Sequence, residues 1–122
     1  MALDLLPTTI SNSPLGGLFN YDVLTQVIYY SNANATGNYQ INFRGDSVTS
    51  LASVVPVGNT LRTLLFVQNG PTAYYLTSVT VDGFPATAIG WLKRLPEPGP
   101  SNNISSYEIN ITQTSAGVFT IF

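Results

Sequence analysis

The side chains in this sequence best suited to chemistry are six carboxylates: Asp4, Asp22, Asp46, Asp82, Glu97 and Glu108. There is no histidine and no cysteine. A Ser-His or Cys-His nucleophile pair is therefore impossible, and the usual nitrogen and sulfur ligands of zinc are missing. Two carboxylates drawn from different strands could still work as acid and base on a glycosidic bond. All but one of these, however, fall in expected turns or near the termini, where Asp and Glu normally serve turn geometry. Asp82 reads as the first residue of an Asp82-Gly83 hairpin turn. No loop concentrates the oxygens that calcium needs. The expectation is a non-enzymatic protein with no catalytic residue, no metal site and no cofactor.

The elements that would position these residues follow from a period of two. "YDVLTQVIYYS" (21–31) reads as a strand with Val23, Thr25, Val27 and Tyr29 on one face. "SNANATGN" (31–38) is a turn cluster, and "YQINF" (39–43) sends Tyr39, Ile41 and Phe43 inward, so the pair is expected to form a hairpin with a long loop. "TLRTLLFVQ" (60–68) is a nearly continuous apolar run, as in a central strand. "AYYLTSVTVDG", "FPATAIGWLK", "SSYEINITQ" and "GVFTIF" supply the remaining strands, with Gly117 in a left-handed turn position and a short helical piece within 48–55. The expected fold is all-β: an antiparallel, jelly-roll-like sandwich of about eight short strands.

The first 20 residues break both periods with Pro7, Pro14, Gly16 and Gly17, yet carry Leu3, Leu5, Leu6, Ile10, Leu15, Leu18 and Phe19. They read as an extended N-terminal arm (1–20) preceding a β-sandwich domain (21–122), lying on its own domain or on a neighbour. The arm has neither the basic start nor the long apolar run of a signal peptide.

Only 8% of the 122 residues are charged, and the net charge is -2. Arg44, Arg62, Lys93 and Arg94 make no basic stripe, so no nucleic-acid partner is expected. No run reaches the ~18 apolar residues of a spanning helix, so no membrane partner is expected. A surface of Ser, Thr, Asn and Gln with few charges costs little to desolvate against a neighbour. The doubled tyrosines Tyr29-Tyr30 and Tyr74-Tyr75 should each put one ring in the core and one outside, which makes Tyr30 and Tyr75, with Trp91, the candidates for surface or glycan contact. Arg44-Gly45-Asp46 matches an adhesion tripeptide, but the simpler reading is a turn in which Gly45 supplies a positive φ. The Asn-x-Ser/Thr strings at Asn34, Asn103 and Asn110 are expected by chance in a chain this rich in those residues.

Gly37-Asn38, Asn42-Phe43-Arg44-Gly45, Gln68-Asn69-Gly70, Ala73-Tyr74-Tyr75 and Val81-Asp82-Gly83 follow one another in an order that resembles a small module of tailed bacteriophages, notably those infecting marine bacteria and cyanobacteria. The resemblance covers about residues 37–122. It departs where the family has Trp-Gly-Gly and this chain has Trp91-Leu92, and at Ser106, where the family has Asp. It implies a tail-fibre-like or other virion structural protein assembled in the host cytoplasm, with other capsid or tail proteins as partners and a homo-oligomeric state, a trimer favoured. A short chain with an apolar arm fits a capsid decoration or cement protein attached through that arm. The alternatives are a tail-fibre or appendage module, or a carbohydrate-binding module contacting host-surface glycans.

Overall fold

The computed structural model describes residues 6–85, 88–89 and 101–121. Among these the protein is all-β, with two sheets and one short helix. The strands are β1 (Thr8–Ser11), β2 (Gly17–Asp22), β3 (Ile28–Ser31), β4 (Tyr39–Arg44), β5 (Thr60–Gln68), β6 (Leu76–Val81), β7 (Phe84–Pro85), β8 (Ala88–Ile89), β9 (Ile104–Ser115) and β10 (Val118–Ile121), with α1 (Leu51–Val54) between β4 and β5. Sheet A runs β1-β3-β5-β9-β10-β8, and sheet B runs β2-β4-β6-β7.

The expected antiparallel arrangement is not what forms. Up to β6, successive strands alternate between the sheets, so neighbours within a sheet come from successive windings of the chain and run parallel. The ladders β1–β3, β3–β5, β2–β4, β4–β6 and β8–β10 are parallel, and β5–β9, β9–β10 and β6–β7 are antiparallel. The stretch 21–31 is two strands in different sheets rather than one. It breaks because the Asp22 carbonyl accepts the amides of Thr25 and Gln26 in a reversal, which the Gln26 side chain reinforces by donating to the same carbonyl at 2.8 Å. β3 and β4 consequently form no hairpin.

The N-terminal segment is also different from an extended arm. Its described part forms β1 and most of β2, each tied into a sheet by parallel pairing. The apolar residues expected in the arm divide accordingly. Leu15 is buried and Phe19 packs on the core, whereas Leu6, Ile10 and Leu18 are 59%, 69% and 66% exposed. Leu3 and Leu5 lie outside the described residues.

The core fills the space between the sheets. Tyr21, Tyr39, Ile41, Phe43, Leu76, Val79 and Val81 come from sheet B, and Leu65, Val67, Ile109, Ile111, Phe119 and Ile121 come from sheet A. Burial of each such aliphatic or aromatic side chain contributes about 1.5–3 kcal/mol. The inward tyrosines satisfy their hydroxyls: Tyr21 donates to the Leu64 carbonyl at 3.0 Å, and Tyr39 donates to the Tyr107 hydroxyl at 3.2 Å, which accepts the Leu76 amide. Among the described residues no buried side-chain polar atom lacks a partner. Helix α1 lies at one end of this core, with Leu51 buried. Buried Gln113 donates to the Ala52 and Val55 carbonyls at its C-terminal end and accepts the Gly117 amide, which joins the helix to the β9–β10 turn.

Candidate interaction surface

The two sheets differ in their outer faces. On sheet B the outward side chains of the middle strands are polar and bonded to one another, while Leu18 on β2 and Phe84 on β7 are exposed at the two edges of the sheet. Asn42 on β4 donates to Asn20 at 3.0 Å and accepts from Thr80 and from the Gly83 amide, both at 2.8 Å. Arg44 pairs with Asp22 on the adjacent strand at 2.6 Å, a contact that raises the guanidinium pKa further. A polar hollow of about 390 Å³ opens here, lined by residues including Asn42, Arg44, Asp46, Thr49 and Asp82.

Two of the six carboxylates thus share one hollow, which is the arrangement that acid–base work would need. Their bonds give them structural jobs instead. Asp46 accepts the Val48 amide at 2.9 Å, and this bond, with further ones from Thr49, holds its carboxyl below the usual aspartate range. A general acid needs the opposite shift. Asp82 spends both oxygens on α1, accepting the Leu51 amide at 2.7 Å and the Ala52 amide at 3.2 Å, while Ser50 caps the Ser53 amide. Its backbone, with Gly83, forms the expected two-residue hairpin turn, at φ of 52° and 83°. The cap on α1 was not readable from the sequence, because Asp82 and Leu51 meet only through the fold. Among the described residues no three carboxylates gather in a group that could hold a metal ion.

The Arg44-Gly45-Asp46 tripeptide is folded into this hollow rather than displayed on an extended loop, with Arg44 on β4 and Asp46 bridging to Thr49. Gly45 does not have the positive φ expected of it. It is required by close approach: a Cβ there would meet the Thr49 carbonyl at 2.8 Å and its methyl at 2.9 Å.

The outer face of sheet A is apolar over its β1–β3–β5 half. Strand register aligns Ile10, Tyr30 and Phe66 in one row and Thr8, Ile28 and Leu64 in the next. The Tyr30 and Phe66 rings lie 6.2 Å apart. Beside them Leu6, Val27, Ile28 and Leu64 line a groove of about 360 Å³, with Arg62 at its edge. Arg62 is paired with Glu108 at 2.6 Å across the β5–β9 ladder, and Ser106 stands opposite Phe66. An apolar centre with a polar rim has the composition of an interface.

The residues singled out for surface contact do not come together. Tyr29 packs inward on Phe19 at 4.5 Å, and Tyr30 sits on the outer face of sheet A. Tyr74 packs on the core, while Tyr75 is half-buried in the segment leading to β6, held through its amide by Asn38 and through its carbonyl by Tyr39. Trp91 lies outside the described residues. Ile28, Leu64 and Phe66 were not foreseen, although their signal was present: "VIYY" and "LLFV" are apolar on both faces where a half-buried strand would alternate. In comparisons with known proteins, no family model, no curated protein and no solved structure matches the chain.

Proposed function

We propose that the chain is a non-enzymatic structural protein of a bacteriophage particle, a capsid decoration module that docks on a larger protein lattice. The observation that carries this reading is the apolar outer face of sheet A, where Leu6 and Ile10 of the N-terminal segment adjoin Ile28, Tyr30, Leu64 and Phe66. Attachment then uses the N-terminal segment as part of a folded face rather than as a loose clamp. The motif order over 37–122 supports the phage setting, and the scarcity of charge lowers the cost of burying the surface. The non-enzymatic part rests on the engagement of Asp46 and Asp82 by backbone amides.

Co-sedimentation with phage particles lacking the chain tests the proposal. Tyr30→Ser/Phe66→Ser should abolish binding while leaving a folded β protein by circular dichroism, since both half-buried rings stand on the outer face and neither belongs to the core. Undiminished binding by a folded double variant overturns it. A second reading, a tail-fibre or appendage module that binds host glycans, is favoured by the Tyr30–Phe66 ring pair, because aromatic faces stack on sugar rings. Glycan-array binding that the same double variant loses, without any particle binding by the parent, would select that reading.

A further inference from the structure

We propose that two copies of the chain pair through β1, antiparallel and edge to edge about a two-fold axis, so that sheet A runs unbroken across both. This inference stands apart from the phage reading and rests on the β1 edge itself.

β1 ends sheet A and pairs on one side with β3. The carbonyls of Pro7 and Ser11 accept amides from the β3 side, so alternate residues of β1 face that ladder and the backbone groups of Thr8 and Ile10 face away from it. Among the described residues no strand pairs with that outward side. Sheet B does not shield it either. Phe19 and Tyr21 of β2 reach Tyr29 on β3 and the Leu64 carbonyl on β5, and among the described residues no backbone bond joins β2 to β1; the Thr9 hydroxyl donates to Gln26 at 2.8 Å on the inner face and leaves the outward backbone groups of Thr8 and Ile10 unengaged by it.

The occupant follows from what this edge offers. A row of alternating amides and carbonyls is matched by another strand, not by a sugar or a lipid. Natural sheets guard exposed edges with charge, proline or a bulge. Thr8–Ser11 has none of these within it, and Pro7 and Pro14 limit the edge to a few residues, which restricts the register. An isologous pairing sets a surface against itself, so any net charge on it would repel. β1 is uncharged, and among the described residues the charged pair on that face, Arg62 and Glu108, is already neutralised within itself. With Thr9 opposite Thr9 of the second copy, Thr8 and Ile10 exchange both backbone bonds with their counterparts. Both copies of Ile10 then lie on the outer face, and the two Ile10–Tyr30–Phe66 rows merge into one platform of six strands, about 24 Å wide at ~4.8 Å per strand.

The test uses the full chain. Light scattering after size exclusion at about 100 μM should give twice 13.1 kDa. Ile10→Lys should raise the dissociation constant at least tenfold, the equivalent of about 1.4 kcal/mol. Because the chain has no cysteine, Thr9→Cys is a clean reporter. Its two copies would occupy a non-hydrogen-bonded pair, where opposed Cβ atoms come closest, and mild oxidation should trap a covalent dimer that the exposed control Val48→Cys does not give. If Ile10→Lys proves unfolded by circular dichroism, Thr9→Cys alone decides. A monomer at this concentration, a trimer, or a dimer that Thr9→Cys does not trap would overturn the inference.

Discussion

Replacing Asp82 separates two jobs that one residue performs. Its backbone sits at φ 52°, a conformation that Asn and Gly tolerate and Ala resists. Its carboxylate accepts one α1 amide on each oxygen, at 2.7 and 3.2 Å. Asp82→Asn keeps the turn and one acceptor but directs an NH₂ at the second amide. Asp82→Gly keeps the turn and strands both amides. Asp82→Ala strands both and adds backbone strain. A hydrogen bond to a charged acceptor contributes about 1.5–3 kcal/mol, to be discounted here because the hollow opens to water. The expected losses are about 1–2 kcal/mol for Asn, about 2–3 for Gly, and a further 1–2 or so for Ala. In a chain of 122 residues, 1 kcal/mol moves the melting temperature by about 4 °C, which gives falls of about 4–8 °C, 8–12 °C and more than 12 °C. Differential scanning calorimetry at neutral pH reads all three. If Asn and Gly both melt within about 1 °C of the parent, the carboxylate does not hold α1, and if Ala melts no lower than Gly, the left-handed turn is not strained as argued.

Gly45→Ala should destabilise by about 1–3 kcal/mol, because its Cβ would meet backbone at the Thr49 carbonyl, and urea unfolding with no shift in midpoint would contradict the close approach. Asp46, held below its ordinary value of 3.8, contributes stability that is present above that pH and lost as pH falls through the lower folded value. Asp46→Asn should remove that part of the acid dependence in melts below about pH 4, and an unchanged acid limb would refute it. Tyr21 and Tyr39 are raised far above 10.0 by burial, and Tyr39 also by its bond to Tyr107, so their contribution is full below pH 10.0 and lost as pH climbs beyond it. Followed by phenolate absorbance and circular dichroism together, these rings should ionise only as the chain unfolds. All seven tyrosines titrating together in an intact fold would contradict their burial.

Legibility in the sequence tracked how local the determinant was. The inward set Tyr39, Ile41 and Phe43 follows from alternation alone and is fully buried. Asp82-Gly83 and Gly117 mark turns through residues that bear positive φ, and both turns form. β5 matches its expected span, 60–68, because a long apolar run bounded by turn residues has few other solutions. Strand direction was not legible. Period-two alternation is the same in parallel and antiparallel ladders, so only a tight turn reveals a hairpin, and the β6–β7 and β9–β10 hairpins sit at those glycine-bearing turns. The link 31–38 has no such dipeptide and carries the chain to the other sheet. The N-terminal segment misled for a related reason: its prolines interrupt the period, yet parallel pairing to β3 and β4 captures the short stretches between them.

The contrast between the outer faces decides where a partner can bind. Covering sheet B would strip water from Arg44, Asp22 and the Asn20–Asn42–Thr80 chain, whose bonding capacity is largely spent on one another. A partner there would have to replace each lost water with well-placed polar groups of its own, and desolvating an ion pair often costs more than its attraction returns. Covering sheet A buries Ile10, Ile28, Leu64, Phe66 and the Tyr30 ring, each at a gain of roughly 25 cal/mol per Å² of apolar surface. Among the described residues the ion pair on that face, Arg62–Glu108, stands at the rim and keeps its water. Leu18 and Phe84 are also exposed on sheet B, but they stand on its opposite edge strands, β2 and β7, so the contiguous apolar face is that of sheet A, and desolvation favours it for a partner that is not itself highly polar. Arg44→Ala should accordingly leave particle binding intact where Tyr30→Ser/Phe66→Ser removes it, and the reverse pattern would move the docking face to sheet B.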